Sequence, residues 1–190
     1  MRMKNKEQLL TQIEQLPKFV LRDIYIKSEE ITNDGIVESE NKYTKENRLI
    51  GITEKHQSPI ITTISKNYQL VQFDAVFNPI VNYFSNVDGE LKYYWGSSIL
   101  FLFPDGQEFK TDDNHNIGLI VTNSVNKMMA ININFCVLYN DYKVMLPKDI
   151  SRFRQLHLGK VKEIVEDYES FISLIKESWK TITNKFNRDL

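Results

Sequence analysis

NIGLIVTNSVNKMMAININFCVLYNDYKVML, residues 116–146, is the stretch that decides the fold. Ile117, Leu119 and Val121 alternate with Gly118, Ile120 and Thr122 before the polar interruption Thr122-Asn123-Ser124. Met129, Ile131, Ile133 and Phe135 then take one parity, and Ala130, Asn132, Asn134 and Cys136 take the other. Side chains of a strand point alternately to its two faces, so a period of two with Asn on one side predicts one buried and one wet face. Asn123 to Lys127 has the polar composition of a hairpin connection, and Asn140-Asp141 marks a turn before Tyr142 to Leu146. The expectation is a central antiparallel pair extended by a third strand.

Toward the N-terminus the period changes. Leu9, Leu10, Ile13 and Leu16 form a helical stripe over residues 5–16, which Pro17 ends. Phe19 to Ile26 is β-rich, and Asn33-Asp34-Gly35 is a hairpin turn leading to Ile36-Val37. Residues 38–48, ESENKYTKENR, are nearly free of apolar side chains and predict a mobile loop. Leu49 to Thr53, Pro59 to Ser65 and Asn67 to Gln72 read as three short strands. Asp74 is placed to cap a helix carrying Val76, Phe77, Ile80, Val81 and Phe84, with Pro79 predicting a kink or a late start. Glu90 to Phe103, with Tyr93-Tyr94-Trp95, runs to a turn at Pro104-Asp105-Gly106 and a polar loop at Lys110 to Asn114.

Beyond the central stretch, Val165, Ile172, Trp179 and Phe186 recur every seven residues, as do Val161, Tyr168, Ile175 and Ile182. This seam predicts a long amphipathic C-terminal helix at about 160–187, lying across the sheet. The same seam suits a helical dimer, and so a homo-oligomer. Together these elements predict one α+β domain spanning 1–190, a mainly antiparallel sheet covered on one face by helices.

Composition narrows the partners. Hydrophobic residues make up 42% of the 190, enough for a packed core and against wholesale disorder. Net charge is −1, so any polyanion must be met by a local patch. The lone Cys136 can make no internal disulfide and reads as a buried structural thiol in a reducing compartment. With no signal-like start in MRMKNKEQLL and no apolar run of spanning length, the expected setting is the cytoplasm, away from membrane.

The patch is at Lys148 to Lys162, where Lys148, Arg152, Arg154, Lys160 and Lys162 face a single carboxylate, Asp149, and His157 joins them when protonated. Lys and Arg displace condensed counterions from phosphates, and Arg grips two oxygens at once. In the setting expected here, a helix start, the dipole opposes these cations, which favours an external anion. Tyr94 and Trp95 offer faces on which unpaired bases stack, while at least one member of the aromatic triplet must turn inward. Asp112-Asp113-Asn114-His115 reads as a solvated turn, since adjacent loop residues do not converge on a metal. Ser124 and His157 lack a nucleophile elbow and an orienting acid. No catalytic residue, metal or cofactor is therefore assigned, and the protein is expected not to be an enzyme.

Three stretches carry a resemblance: IITTISKNYQLVQFDAVFNPIVNYF at Ile60 to Phe84, LIVTN at Leu119 to Asn123 followed by Ser124, and FRQLH at Phe153 to His157 before a long helix. Over roughly residues 58–175 the chain resembles the phage/plasmid-like protein family, known mainly as a domain of unknown function. Where that family often has an Asp-Gly turn, this chain has Val125 and Asn126. The resemblance implies a mobile genetic element, with DNA replication, recombination or counter-defence as the setting. A more distant likeness, at the level of fold, is to single-strand annealing proteins. The expected function is a non-catalytic, DNA-associated protein of a phage, virus or plasmid that binds single strands. The alternative is a protein–protein interaction module, such as an inhibitor of a host defence complex.

Overall fold

The computed structural model describes residues 3–23, 25–32, 35–42, 47–52, 60–65, 67–106, 109–110, 115–139, 142–145, 152–155, 173 and 177. Helix α1 spans Lys6–Glu14. It starts in a reciprocal capping box, with Asn5 Oδ1 accepting from the Gln8 amide at 3.0 Å and Gln8 Oε1 accepting from the Asn5 amide at 3.3 Å. Strands β1 (Phe19–Asp23), β2 (Tyr25–Thr32), β3 (Gly35–Lys42), β4 (Asn47–Ile52) and β5 (Ile60–Ser65) precede helix α2 (Phe73–Tyr83). Six further strands follow: β6 (Val87–Tyr94), β7 (Ser97–Pro104), β8 (Asn116–Ser124), β9 (Ile131–Tyr139), β10 (Tyr142–Met145) and β11 (Arg152–Gln155).

All the pairings are antiparallel. The large sheet runs β10-β9-β8-β7-β6, with β11 also on β9. The expected central pair is β8 and β9, with Leu119 opposite Phe135 and Val121 opposite Ile133, and β10 is the expected third strand. A smaller sheet orders β1-β4-β5, and β2-β3 form a hairpin whose last partners are Thr32 and Gly35. The turn expected at Asn33-Asp34-Gly35 falls on residues 33 and 34, which lie outside the described residues.

Several local expectations fail for identifiable reasons. The loop expected at 38–48 is largely strand: Glu38 to Lys42 belong to β3, and Asn47 and Arg48 to β4. A hairpin ladder is held by backbone groups and needs no apolar parity to propagate from a good turn. Asn67 to Gln72 is not a third strand but the passage from β5 into α2. Gln72, not Asp74, is the N-cap residue of α2. The Gln72 side chain ties that end to β1 instead, accepting from the Phe19 amide at 3.1 Å and donating to its carbonyl at 2.7 Å. Asp74 lies in the first turn and pairs with Lys18. The helix starts at Phe73 and continues through Pro79, so its start is not late. The C-terminal helix expected at about 160–187 lies outside the described residues, apart from the helical positions Ser173 and Glu177.

One face of the large sheet carries the main core. Leu100, Leu102, Leu119, Val121, Ile131 and Ile133 are buried there with Leu9 and Ile13 of α1 and with Val76, Phe77 and Ile80 of α2. Phe19, Ile50 and Ile64 bring the smaller sheet into the same cluster. Burying a side chain of this size contributes roughly 1.5–3 kcal/mol. Among the described residues, no helix is long and apolar enough to cross a membrane.

The Asn parity of β9 predicts a wet second face; Asn132 and Asn134 are half-buried there, but Ala130 and Cys136 are buried. Ile120, Cys136 and Phe103 form a second small cluster, and β8 is buried on both faces from Ile117 to Ser124. Gly118 makes this possible: a Cβ there would sit 2.4 Å from the Phe103 ring, so only glycine lets that ring lie against the strand. Lys143 of β10 reaches Glu90 of β6 at 2.6 Å and lies 4.3 Å from the centre of the Phe101 ring. These strands end the path at opposite edges, and four spacings of about 4.8 Å would hold them about 19 Å apart in a flat sheet. A Lys and a Glu side chain cannot span that distance between strands, so the sheet is rolled toward this second face.

Candidate functional site

The aromatic triplet sits at one end of the rolled sheet. Tyr94 and Ser97 are the last partners of the β6–β7 hairpin, which turns through Trp95 and Gly96 alone. Both turn residues have positive φ, 41° and 78°, as a type I′ connection requires. Gly96 adopts this freely, whereas an L-residue such as Trp95 is held there at a cost of about 1–2 kcal/mol. Tyr93, at 37% the least exposed of the three, packs its ring against Phe73 edge to face at 5.9 Å. Tyr94 and Trp95 remain 77% and 54% exposed.

The neighbouring β8–β9 loop holds this turn in place. Asn126 Nδ2 donates to the Trp95 carbonyl at 2.6 Å, and its Oδ1 accepts from Ser97 Oγ at 2.9 Å and from the Met128 amide at 3.1 Å. The Val125 amide donates to the Gly96 carbonyl at 2.8 Å. Ser124 closes the loop from inside, donating to the Met129 carbonyl at 2.7 Å and accepting from its amide at 2.9 Å. Fully buried and bound on both sides, Ser124 is a structural residue with no room to act as a nucleophile. Asn123, also fully buried, donates to the Val71 carbonyl at 3.2 Å, and Tyr68 Oη donates to the Ser124 carbonyl at 3.1 Å. The Asn-Ser end of β8 is thus the peg to which α2, the β6–β7 turn and the β8–β9 loop are all fastened.

Between hairpin and loop lies a cleft of about 230 Å³. Tyr93, Tyr94, Ile99, Met128 and Met129 supply its apolar walls, and Lys92 stands at its margin. Met128 is 68% exposed. Lys127, beside it, is also exposed and has a φ of 66°. Residues 91–99 and 122–132 contain these two lysines and no carboxylate. The nearest acid on the same strand is Glu90, whose Oε2 is 2.6 Å from Lys143 and 3.6 Å from Lys92. The shorter contact commits Glu90 to Lys143 and leaves the half-exposed Lys92 with most of its charge facing solvent.

Register places the predicted arginines relative to this cleft. Lys92 pairs with Ile99, Ile99 with Thr122, Thr122 with Asn132, and Asn132 with Arg154. The next row runs Glu90, Phe101, Ile120, Asn134, Arg152. Arg152 and Arg154 therefore lie on β11, a strand, and not at a helix start; they extend the two rows that begin at Glu90 and Lys92. Lys148, His157, Lys160 and Lys162 lie outside the described residues, as do Asp112 and Asp113. Among the described residues no group of His, Cys, Asp and Glu is placed to hold a metal ion.

Cys136 is fully buried, and burial pushes its thiol up to about 12, so it stays protonated and unreactive near neutrality. Lys92 and Met128 were not singled out in the sequence, and Asn126 and Lys127 were read only as parts of a connection. The signal that could have found them is the absence of carboxylates from both segments, which matters only once the two segments are known to be neighbours. No family model matches the chain, and no curated protein or solved structure matches it either.

Proposed function

We propose that this is a non-catalytic protein of a phage, virus or plasmid that binds single-stranded DNA in the cytoplasm. One observation carries the reading: exposed Tyr94 and Trp95 stand on a clamped turn just beyond Lys92, and Lys92 begins a cross-strand row that ends at Arg154. Stacking on aromatic faces with cations tracking the backbone is how unpaired strands are held without reading sequence. Arg152, Arg154, Lys148, His157, Lys160 and Lys162 meet phosphates in this reading. The mobile-element setting follows from the resemblance to the phage/plasmid-like family.

The test is oligonucleotide binding as a function of salt. Each phosphate contact on a single strand adds about 0.7 to the slope of log affinity against log salt. Reversing both charges, Arg152→Glu with Arg154→Glu, is expected to weaken binding and lower that slope by about 1.4. Absence of binding even at low salt overturns the proposal.

A protein–protein function, inhibition of a host defence complex, is favoured by a different observation. Tyr142, Val144 and Met145 are exposed on β10, which ends the strand order. An end strand with exposed apolar side chains is a template for another chain. A stoichiometric partner captured from host lysate and insensitive to nuclease selects this function.

A further inference from the structure

We infer that the cleft between the β6–β7 turn and the β8–β9 loop is a slot for one unpaired nucleobase, held by its face and not read at its edges. The inference rests on the single-strand proposal above and adds what the strand does at this site. Pockets for drug-sized ligands run from about 300 to about 1,000 Å³, so about 230 Å³ suits a single flat ring system. The walls are the right kind of surface for one. Tyr94 offers an aromatic face, and Met128 and Met129 offer polarisable thioethers that adapt to rings of different size.

Two polar groups of the walls are already engaged. Ser97 Oγ donates to Asn126 Oδ1, and Tyr93 Oη accepts from the Gly96 amide at 3.1 Å. A base in this slot therefore meets few donors or acceptors that could tell one edge pattern from another. Charge complementarity names the occupant. Lys92 lines the cleft, exposed Lys127 precedes the lining residue Met128, Glu90 is committed to Lys143, and no carboxylate occurs in the two segments that form the cleft. An apolar slot edged by cations fits a flat, uncharged ring attached to phosphates, which is a nucleotide within a strand.

The experiment uses the full chain carrying Trp179→Phe, so that Trp95 alone reports by fluorescence. The probes are oligodeoxythymidine, oligodeoxycytidine and oligodeoxyadenosine, and an oligodeoxythymidine with abasic sites along its length. Expected results are affinities within about tenfold among the three base-bearing probes, and a loss of about 5- to 150-fold for the abasic strand, the span measured for single stacking contacts. Tyr94→Ala should lose a similar factor on base-bearing probes and almost nothing on the abasic one, while Tyr94→Phe retains full affinity. Met128→Gln gives a smaller loss of the same kind. Tyr94 and Met128 are surface residues, so a thermal melt that matches the parent confirms that each variant is folded. If the probes bind with normal salt dependence but the abasic strand and Tyr94→Ala are indistinguishable from the parent pair, the slot is overturned while the single-strand proposal survives. If none of the probes binds at low salt, the proposal itself fails and the slot goes with it.

Discussion

Leu100, Leu102, Leu119 and Val121 on one face of the large sheet meet Leu9, Ile13, Val76 and Phe77 from the two helices. Across the same strands, the opposite face sets Phe103, Ile120 and Cys136 beside Thr122, Asn132 and the Glu90–Lys143 pair. The first face is a continuous apolar layer, which supplies stability but is indifferent to small shifts of position. The second has a three-residue core, and the polar groups around it have directional partners: Thr122 Oγ1 donates to the Ala130 carbonyl at 3.2 Å, and Asn132 Nδ2 donates to Thr122 Oγ1 at 3.0 Å. Directional contacts fix curvature and register, and register is what puts Lys92 and Arg154 in one row. The two faces thus divide the work, with folding energy on one and placement on the other.

Breaking the apolar face should have the largest effect. Phe77→Ala empties a fully buried site stacked on Phe73 at 6.0 Å and should cost about 3–5 kcal/mol. The readout is a lower urea midpoint with unchanged slope, while the folded fraction binds oligonucleotides as before. A selective loss of binding would contradict the division.

Breaking the mixed face should cost somewhat less but act on geometry. Lys143→Met keeps a stem over Phe101 and leaves Glu90 with only the longer contact to Lys92, which should destabilise by about 1.5–3 kcal/mol. Adding Glu90→Leu should recover most of the stability, because the carboxylate that lost its closest partner is then gone. Recovery of stability without recovery of oligonucleotide affinity would sharpen the claim that this pair sets the roll of the sheet.

The smallest expected change has the opposite sign. Trp95→Asn converts the β6–β7 turn to Asn-Gly and relieves an L-residue at positive φ, so the protein should gain about 1 kcal/mol by thermal melt. Oligonucleotide binding should weaken in the same variant. If stability and binding fall together, Trp95 is a structural residue and not a contact.

Much of the frame was legible without coordinates. The strands β8, β9 and β10 and the helix after Asn5 were read from apolar period and turn residues, which act within a few residues. The burial of β8 on both faces was not legible, because it depends on Phe103 of β7 lying against the strand and on Gly118 admitting the ring. Tyr94 and Trp95 were found as aromatics, but the turn between β6 and β7 was missed, since Trp-Gly lacks the usual Asn-Gly or Asp-Gly signature.

The sequence by itself determined the two helices α1 and α2 and the strand pattern of β8 to β10, and which side chains have chemistry to offer, because those properties follow from neighbours one to four residues away. Only the tertiary structure decided that Lys92, Asn132 and Arg154 share a row, that Asn126 clamps the turn at Trp95, and that Glu90 is taken up by Lys143. Such relations join residues tens of positions apart. They exist only once pairing register and sheet curvature are set, and no local pattern encodes either.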